Sequence, residues 1–207
     1  MNVLAIDCST SRGSVALLCG GTLRFSEEFL AERSHTATLF GCLERARELV
    51  DLPDIVAVGL GPGSYAGTRI AISAAIGFQL GLGSKLVGIP SVSALETDQA
   101  EYIAVGDARR DSYYFTRVQA GCCLQGPLLA DEQALHALLD AHPRLPVFAG
   151  EPLDAFPRAE TALPVASRIA VLAAAGTGVV QQDGLQPIYL REPHITVPRG
   201  GGGTTVH

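Results

Sequence analysis

An α/β fold of two like lobes, each a mixed sheet with crossover helices, is predicted by three observations. Residues 3–6 form an apolar run that ends in Asp7 and a polar turn, and a second apolar run at 14–18 returns from it as a hairpin partner. Residues 55–60 are continuously apolar, as in a strand covered on both faces, and Gly61-Pro62-Gly63-Ser64 then leads into a long helical pattern. The layout starts again at Ile103-Ala104-Val105-Gly106-Asp107, followed by the polar turn Ala108-Arg109-Arg110-Asp111 and a strand at 113–118, so the chain reads as a duplication. At 207 residues, with 47% hydrophobic and 17% charged residues, it is long and apolar enough to close such a core.

The elements follow in order. Gly20-Gly21 marks a tight turn into a third strand at 22–30. Ser34 suits the N-cap of a helix reaching about residue 50, because Leu39, Leu43, Ala46 and Val50 fall on one face. A helix at 66–82 and a short apolar strand at 86–89 continue the alternation that gives parallel strands. After the repeat at 103–118, a helix at 131–139, a strand near Val147 and a helix at 166–175 closed by Gly176 complete a smaller second lobe. The expected division is a first lobe at 1–100, a second at 101–191 and a flexible tail at 192–207, where four glycines stand in a row.

Composition excludes several classes. A net charge of -6 gives no general excess of positive charge for a nucleic acid backbone, so a partner would carry most of any such contact. Lys85 is the one lysine among 15 basic residues and sits in Gly83-Ser84-Lys85-Leu86, which rules out a Walker A loop. The five cysteines include no C-x-x-C spacing and imply neither a disulfide frame nor a zinc site. The start of the chain lacks the charged head of a secretory signal, and the longest uncharged stretch, 70–84, is too short to span a bilayer. A cytoplasmic protein without membrane contact is the expectation.

Asp7, Ser9 and Thr10 are the first candidates for chemistry. A carboxylate at a strand end beside small hydroxyls suits a metal-bound water or the phosphates of ATP, but on residue types alone it better suits a turn that satisfies its own backbone donors. Matching phosphate motifs in the second half are poor: Asp107 is followed by Ala108-Arg109-Arg110, and Glu151-Pro152 stands where a nucleotide would need close backbone approach. Gly61, Gly63 and Ala66 match a loose G-x-G-x-x-A pattern between strand and helix, which fits either an anion site or a corner needing unusual backbone angles. The following strand ends Ile89-Pro90-Ser91, with no acid for a ribose, and Pro62 breaks a G-x-S-x-G elbow. His35 has Leu39 rather than a ligand at i+4, so it reads as a locally bonded helix-start residue. Arg109 and Arg110 form a charged tip that is either solvated or grips a carboxylate or phosphate on a partner.

The helix at 66–82 is apolar on two sides. Ala71, Ala75, Phe78 and Leu82 suit the sheet, while Ala66, Ile70, Ser73, Ala74, Gly77 and Gly81 form a second side with Arg69 at its edge. Ser73, Gly77 and Gly81 recur every fourth residue and leave a groove for another helix, either that of a partner or the chain's own helix at 34–50.

Taken together, Leu4-Ala5-Ile6-Asp7-Cys8-Ser9-Thr10, Ser14-Val15-Ala16-Leu17, Arg33-Ser34-His35, the block from Gly61-Pro62-Gly63-Ser64-Tyr65 through Ala66-Gly67-Thr68-Arg69-Ile70, Gly106-Asp107-Ala108-Arg109-Arg110-Asp111 and Pro187-Ile188-Tyr189-Leu190-Arg191 resemble the TsaB (YeaZ) family over residues 2–191. The resemblance implies an actin-like ASKHA (ribonuclease H-like) fold. It implies a non-catalytic subunit in the formation of N6-threonylcarbamoyladenosine beside the anticodon of tRNAs that read codons beginning with A. The expected partners are a catalytic TsaD-like subunit in a heterodimer, a TsaE-like ATPase, and tRNA through the complex, with a homodimer as an alternative state of the free chain. No cofactor is expected in this subunit; ATP and metal belong to the partners. The helix at 66–82 becomes the expected partner interface, and Asp7, Ser9 and Thr10 a degenerate phosphate turn. Cys8 and Tyr65-Ala66 depart from the family's usual threonine and phenylalanine-threonine. A sugar-kinase type phosphotransferase and a peptidase are the rival classes, and each needs motifs that cannot be assembled from these residues.

Overall fold

Strand pairing splits the chain into two sheets that repeat one plan. The structure is a computed structural model that describes residues 1–30, 35–50, 52–182 and 184–191. The first sheet takes β1 (Asn2–Asp7), β2 (Arg12–Cys19), β3 (Thr22–Leu30), β4 (Ile55–Gly59) and β5 (Lys85–Ile89), with α1 (His35–Arg47) and α2 (Tyr65–Leu82) as its crossovers. After a 3-10 turn at Ser91–Ala94, the second takes β6 (Glu101–Asp107), β7 (Tyr113–Gln119), β8 (Cys122–Ala130), β9 (Val147–Ala149) and β10 (Ala159–Thr161), with α3 (Glu132–Asp140) as its crossover. The chain then continues through α4 (Ala166–Ala175) and β11 (Gln181–Gln182).

The orders are β11-β5-β4-β1-β2-β3 and β10-β9-β6-β7-β8, so β1, β2, β3, β4 and β5 correspond to β6, β7, β8, β9 and β10. In both, the hairpin strands pair antiparallel and the crossover strands pair parallel. The duplication inferred from the two acid-ending strands is therefore a duplication of topology. It is incomplete, because an irregular segment at 150–158 stands between β9 and β10 where the first lobe has α2.

The long apolar runs of β1 and β4 are explained by cover on both faces. Leu4, Ile6, Val56 and Val58 pack with Leu39, Leu43, Ala71 and Ala75 of α1 and α2. The alternate residues Val3, Ala5 and Ala57 pack instead with Ala166, Ile169, Ala170 and Ala173 of α4. This corrects the assignment of the helix at 166–175 to the second lobe: it lies on the sheet of the first. The reason is that Val3, Ala5 and Ala16 leave an apolar sheet face that α1 and α2, on the opposite side, cannot reach. β11 likewise pairs with β5, so the chain returns to the first lobe after leaving the second.

Local signals place the helix ends. Ser64 caps α2, its hydroxyl accepting the Gly67 N–H at 3.2 Å, and the helix begins at Tyr65, one residue before the expected start. Gly83 ends it in the left-handed conformation (φ 72°), and Gly176 closes α4 in the same way (φ 68°). On α1 the predicted face is inward: Leu39, Leu43 and Ala46 are buried, and Val50 packs at the edge beyond the helix end. The Arg33-Ser34 cap region and the tail from 192 onward lie outside the described residues.

Candidate functional site

The β1–β2 turn is built around a carboxylate that points inward. Asp7 is fully buried; its Oδ1 accepts the backbone N–H and the hydroxyl of Ser9, both at 2.8 Å. Its Oδ2 accepts the Ser91 hydroxyl at 2.6 Å, and the same Ser91 oxygen accepts the Gly61 N–H at 2.9 Å. Gly59 makes room for the carboxylate, since a Cβ there would stand 1.8 Å from Oδ2. Thr10 serves its own turn, donating to the Arg12 carbonyl at 3.0 Å and accepting the Arg12 N–H at 3.3 Å. Asp7, Ser9 and Ser91 thus join the turn after β1 to the segment after β5. Ser91, 84 residues away in sequence, was not legible as a partner of Asp7, because no spacing rule links two strand ends joined only by sheet order.

Burial pushes the Asp7 carboxyl above its ordinary value of 3.8, with the bonds from Ser91 and Ser9 opposing the rise. The folded state therefore holds this proton more tightly than the unfolded chain. Stability from that proton is fully present below 3.8 and is lost as pH rises through the raised folded value. We expect the unfolding free energy of the wild type, measured relative to Asp7→Asn, to fall as pH is raised from that point toward neutrality. A difference that stays flat with pH would mean that the buried carboxyl titrates as it does in the unfolded chain.

The glycine corner is packed onto that turn. The Ser64 N–H donates to the Ser9 carbonyl at 2.6 Å, and the Gly67 N–H is taken by the Ser64 hydroxyl. A Cβ at Gly63 would lie 2.0 Å from the Ser9 oxygen, and one at Gly67 2.0 Å from the Cys8 oxygen. The start of α2, with its partial positive charge, is thus applied to two backbone carbonyls of the chain itself. Of the two readings of the G-x-G-x-x-A pattern, the geometry of Ser64, Gly63 and Gly67 is that of the corner.

Asp107 repeats the Asp7 turn in the second lobe. Its Oδ1 accepts the Arg109 N–H at 2.6 Å, two residues on, as Asp7 accepts Ser9. Arg109, Arg110 and Asp111 stand at the tip with φ of 63°, 56° and 54°. Arg109 is exposed and pairs with Asp107 at 3.0 Å, while Arg110 is exposed as well. A cleft of about 640 Å³ opens between the two turns, lined by Ser9, Thr10, Asp107, Arg109, Glu151 and Tyr189 among others. The double replacement Arg109→Ala, Arg110→Ala is expected to keep the fold and change stability by no more than about 1 kcal/mol, because both side chains are exposed and alanine carries much the same left-handed backbone cost as arginine. A large drop in the unfolding midpoint would instead make the tip a structural part of the second lobe.

On α2 the seven interface candidates divide. Ala66, Arg69, Ser73, Gly77 and Gly81 are exposed and Ile70 is half-buried, whereas Ala74 is buried in the first-lobe core. Ala74 is therefore removed from the outer face: the helix is turned so that Ala71, Ala74 and Ala75 all meet the sheet side. Phe78 and Leu82, read as sheet-facing, are only partly covered. A Cβ at Gly77 or Gly81 would meet nothing within 4 Å, so the groove is not filled by α1. Leu80, which is 82% exposed, and Tyr65, at 52%, border this face and were not singled out from the sequence. Helical periodicity marks a polar or small stripe but gives no reason to expect a leucine in solvent.

Among the described residues no group of three or more His, Cys, Asp or Glu is placed to hold a metal ion, and no helix is long and apolar enough to cross a membrane. The side chain of His35 lies outside the described residues.

The paired sheets, the two acid-ending hairpins and the cleft between them define a two-lobed α/β protein built on one mixed-sheet plan used twice. A Pseudomonas aeruginosa structure, described as an uncharacterized protein with similarity to peptidase YEAZ, superposes with a TM-score of 0.75 at 25% identity, over 92% of this chain and 99% of that one. An uncharacterized protein of Mycobacterium tuberculosis is 30% identical over 203 residues, 92% of each chain. The tRNA threonylcarbamoyladenosine biosynthesis protein TsaB of Haemophilus influenzae is 34% identical over 128 residues, which are 57% of this chain and 54% of that protein. The match thus spans about half the length of that curated relative. The family described as TsaD, tRNA N6-adenosine threonylcarbamoyltransferase, matches residues 29–124. The chain is thus similar to proteins named TsaB and YeaZ, and over nearly its whole length to the mycobacterial protein.

Proposed function

We propose that this chain is the non-catalytic subunit of an assembly that forms N6-threonylcarbamoyladenosine in tRNA, and that it seats a TsaD-like catalytic subunit on the outer face of α2. The observation that carries this reading is the open groove at Ser73, Gly77 and Gly81 on a helix whose only charge is Arg69. A glycine interior to a helix costs about 1 kcal/mol relative to alanine, and two of them on an uncovered face are explained by the close approach of another helix. The likeness to proteins named for threonylcarbamoyladenosine biosynthesis, and to a family named for the transferase, supports a partner of that class. On this reading ATP and metal are carried by the TsaD-like and TsaE-like partners, and tRNA meets the assembly rather than this acidic chain alone.

The inward turn of Asp7 and the carbonyl-capped start of α2 favour this reading over a phosphotransferase, since the groups that would face a phosphate are bonded within the fold. The test is reconstitution. The chain should co-purify with a TsaD-like subunit, and formation of the modified nucleoside should require both. Modification that proceeds equally well without this chain would overturn the proposal. Micromolar ATP binding by the chain alone, lost in Asp7→Ala, would favour the phosphotransferase.

A further inference from the structure

The last described residues of the chain form a strap that ties the two lobes and passes beside α2. Leu185 is buried in the first-lobe core, the Ile188 N–H donates to the Leu60 carbonyl at 2.8 Å, and Leu190 packs against the second-lobe core. Arg191 then donates to the Ser112 hydroxyl at 2.6 Å. Both ends of the strap are thus pinned, and the residue between them, Tyr189, is held against the first turn of α2. Its ring lies 5.6 Å from that of Tyr65. Arg69, one helical turn on, donates to the Tyr65 hydroxyl and sits over the Tyr65 ring at 5.0 Å.

We propose that the partner surface extends from α2 onto this strap, and that Tyr65, Arg69 and Tyr189 together receive a carboxylate-bearing helix of the TsaD-like subunit; this rests on the reading above. Three features point to such an occupant. Tyr65 and Tyr189 keep 52% and 43% of their surface exposed although they are fixed in place, so they offer rigid aromatic area with little ordering left to lose on binding. Arg69 has no carboxylate partner among the described residues, and its guanidinium is oriented by Tyr65, ready for a bidentate contact. The cluster also continues the face of Ala66, Ser73, Gly77 and Gly81, so one helix laid along the groove would reach it.

Charge decides between a different partner and a second copy of this chain. Residues 65–82 contain Arg69 and no Asp or Glu, so α2 packed on α2 of another copy would bring Arg69 to uncharged residues or to its own counterpart. The exposed acids a second copy has nearby, Glu44 on α1 and Glu48 just beyond it, would not place a small-residue face in the α2 groove, whereas a partner helix with an acid at one end of such a face meets the groove and Arg69 at once.

The experiment measures the affinity of the intact chain for the TsaD-like subunit at low and high salt. The proteins compared are the wild type, Arg69→Gln, Tyr189→Ala, Tyr189→Phe and, as a control on the groove, Gly77→Leu, each checked for an unchanged unfolding midpoint. Arg69→Gln and Tyr189→Ala should each weaken binding about tenfold or more, the range of interface anchors, with Tyr189→Phe close to the wild type. Arg69→Gln should also flatten the salt dependence, because the screened pair is gone. If the wild type binds and Gly77→Leu abolishes binding while Arg69→Gln and Tyr189→Ala bind normally, the interface reading stands and the strap proposal is overturned. If the wild type does not bind at all, both fall. If Arg69→Gln instead alters only the sedimentation of the chain alone, the cluster serves self-association and the proposal is likewise overturned.

Discussion

Gly67→Ala is expected to destabilise the protein by about 3 kcal/mol, the upper end of the cost of forcing a methyl into a close-packed site. The added Cβ would stand 2.0 Å from the Cys8 oxygen and 3.1 Å from its carbonyl carbon, and both are backbone atoms that no rotamer change can move. Relief would require α2 to lift from the β1–β2 turn. That would stretch the bond from Ser64 to Ser9 and disturb Asp7, whose partner Ser9 lies in the same turn. At this chain length the unfolding midpoint should fall by roughly 6–12 °C. Gly77→Ala, on the same helix but in open space, should be neutral or stabilising by up to about 1 kcal/mol through helix propensity. Equal midpoints for the two alanine variants would show that the helix accommodates the methyl and that the packing of the corner is not tight.

Gly77→Leu should leave the monomer folded and weaken association with the TsaD-like subunit by about 100-fold or more, close to 2.7 kcal/mol. The position is exposed and has no neighbour within 4 Å of a Cβ, so the larger side chain starts out in open space. It would fill the depression in which a partner helix is expected to lie, holding the two backbones apart. Circular dichroism and the unfolding midpoint check the first half of the prediction, and the measured affinity checks the second. A folded variant that binds like the wild type would remove the groove from the interface.

Much of the first lobe was legible because its signals are local. The acid-ending strand, the Gly20-Gly21 turn, the apolar run at 55–60 and the glycine stop at Gly83 each act over a few residues, and the strands and helices lie within one or two residues of their expected limits, except that α1 ends at Arg47, three residues before its expected end. The candidate site was legible in part. Periodicity found the outer face of α2 but could not fix its rotation, and Ala74 proved to lie inward. A small residue fits either side of such a helix, so its placement depends on the angle at which the helix meets the sheet.

By itself the sequence determined the duplicated strand and acid plan, the two-sided character of α2 and the resemblance to the TsaB (YeaZ) family. Only the tertiary structure decided the destination of α4, the pairing of Asp7 with Ser91 and the position of Tyr189 against Tyr65. The physical reason is common to all three. Each joins residues far apart along the chain, α4 to the face of β1, Ser91 to Asp7 across 84 positions, and the strap to the first turn of α2. Hydrophobic periodicity states that a face must be covered, and a hydroxyl or a ring that it needs a neighbour. Which segment provides the cover is set by the order of strands in the sheet, a property of the whole fold.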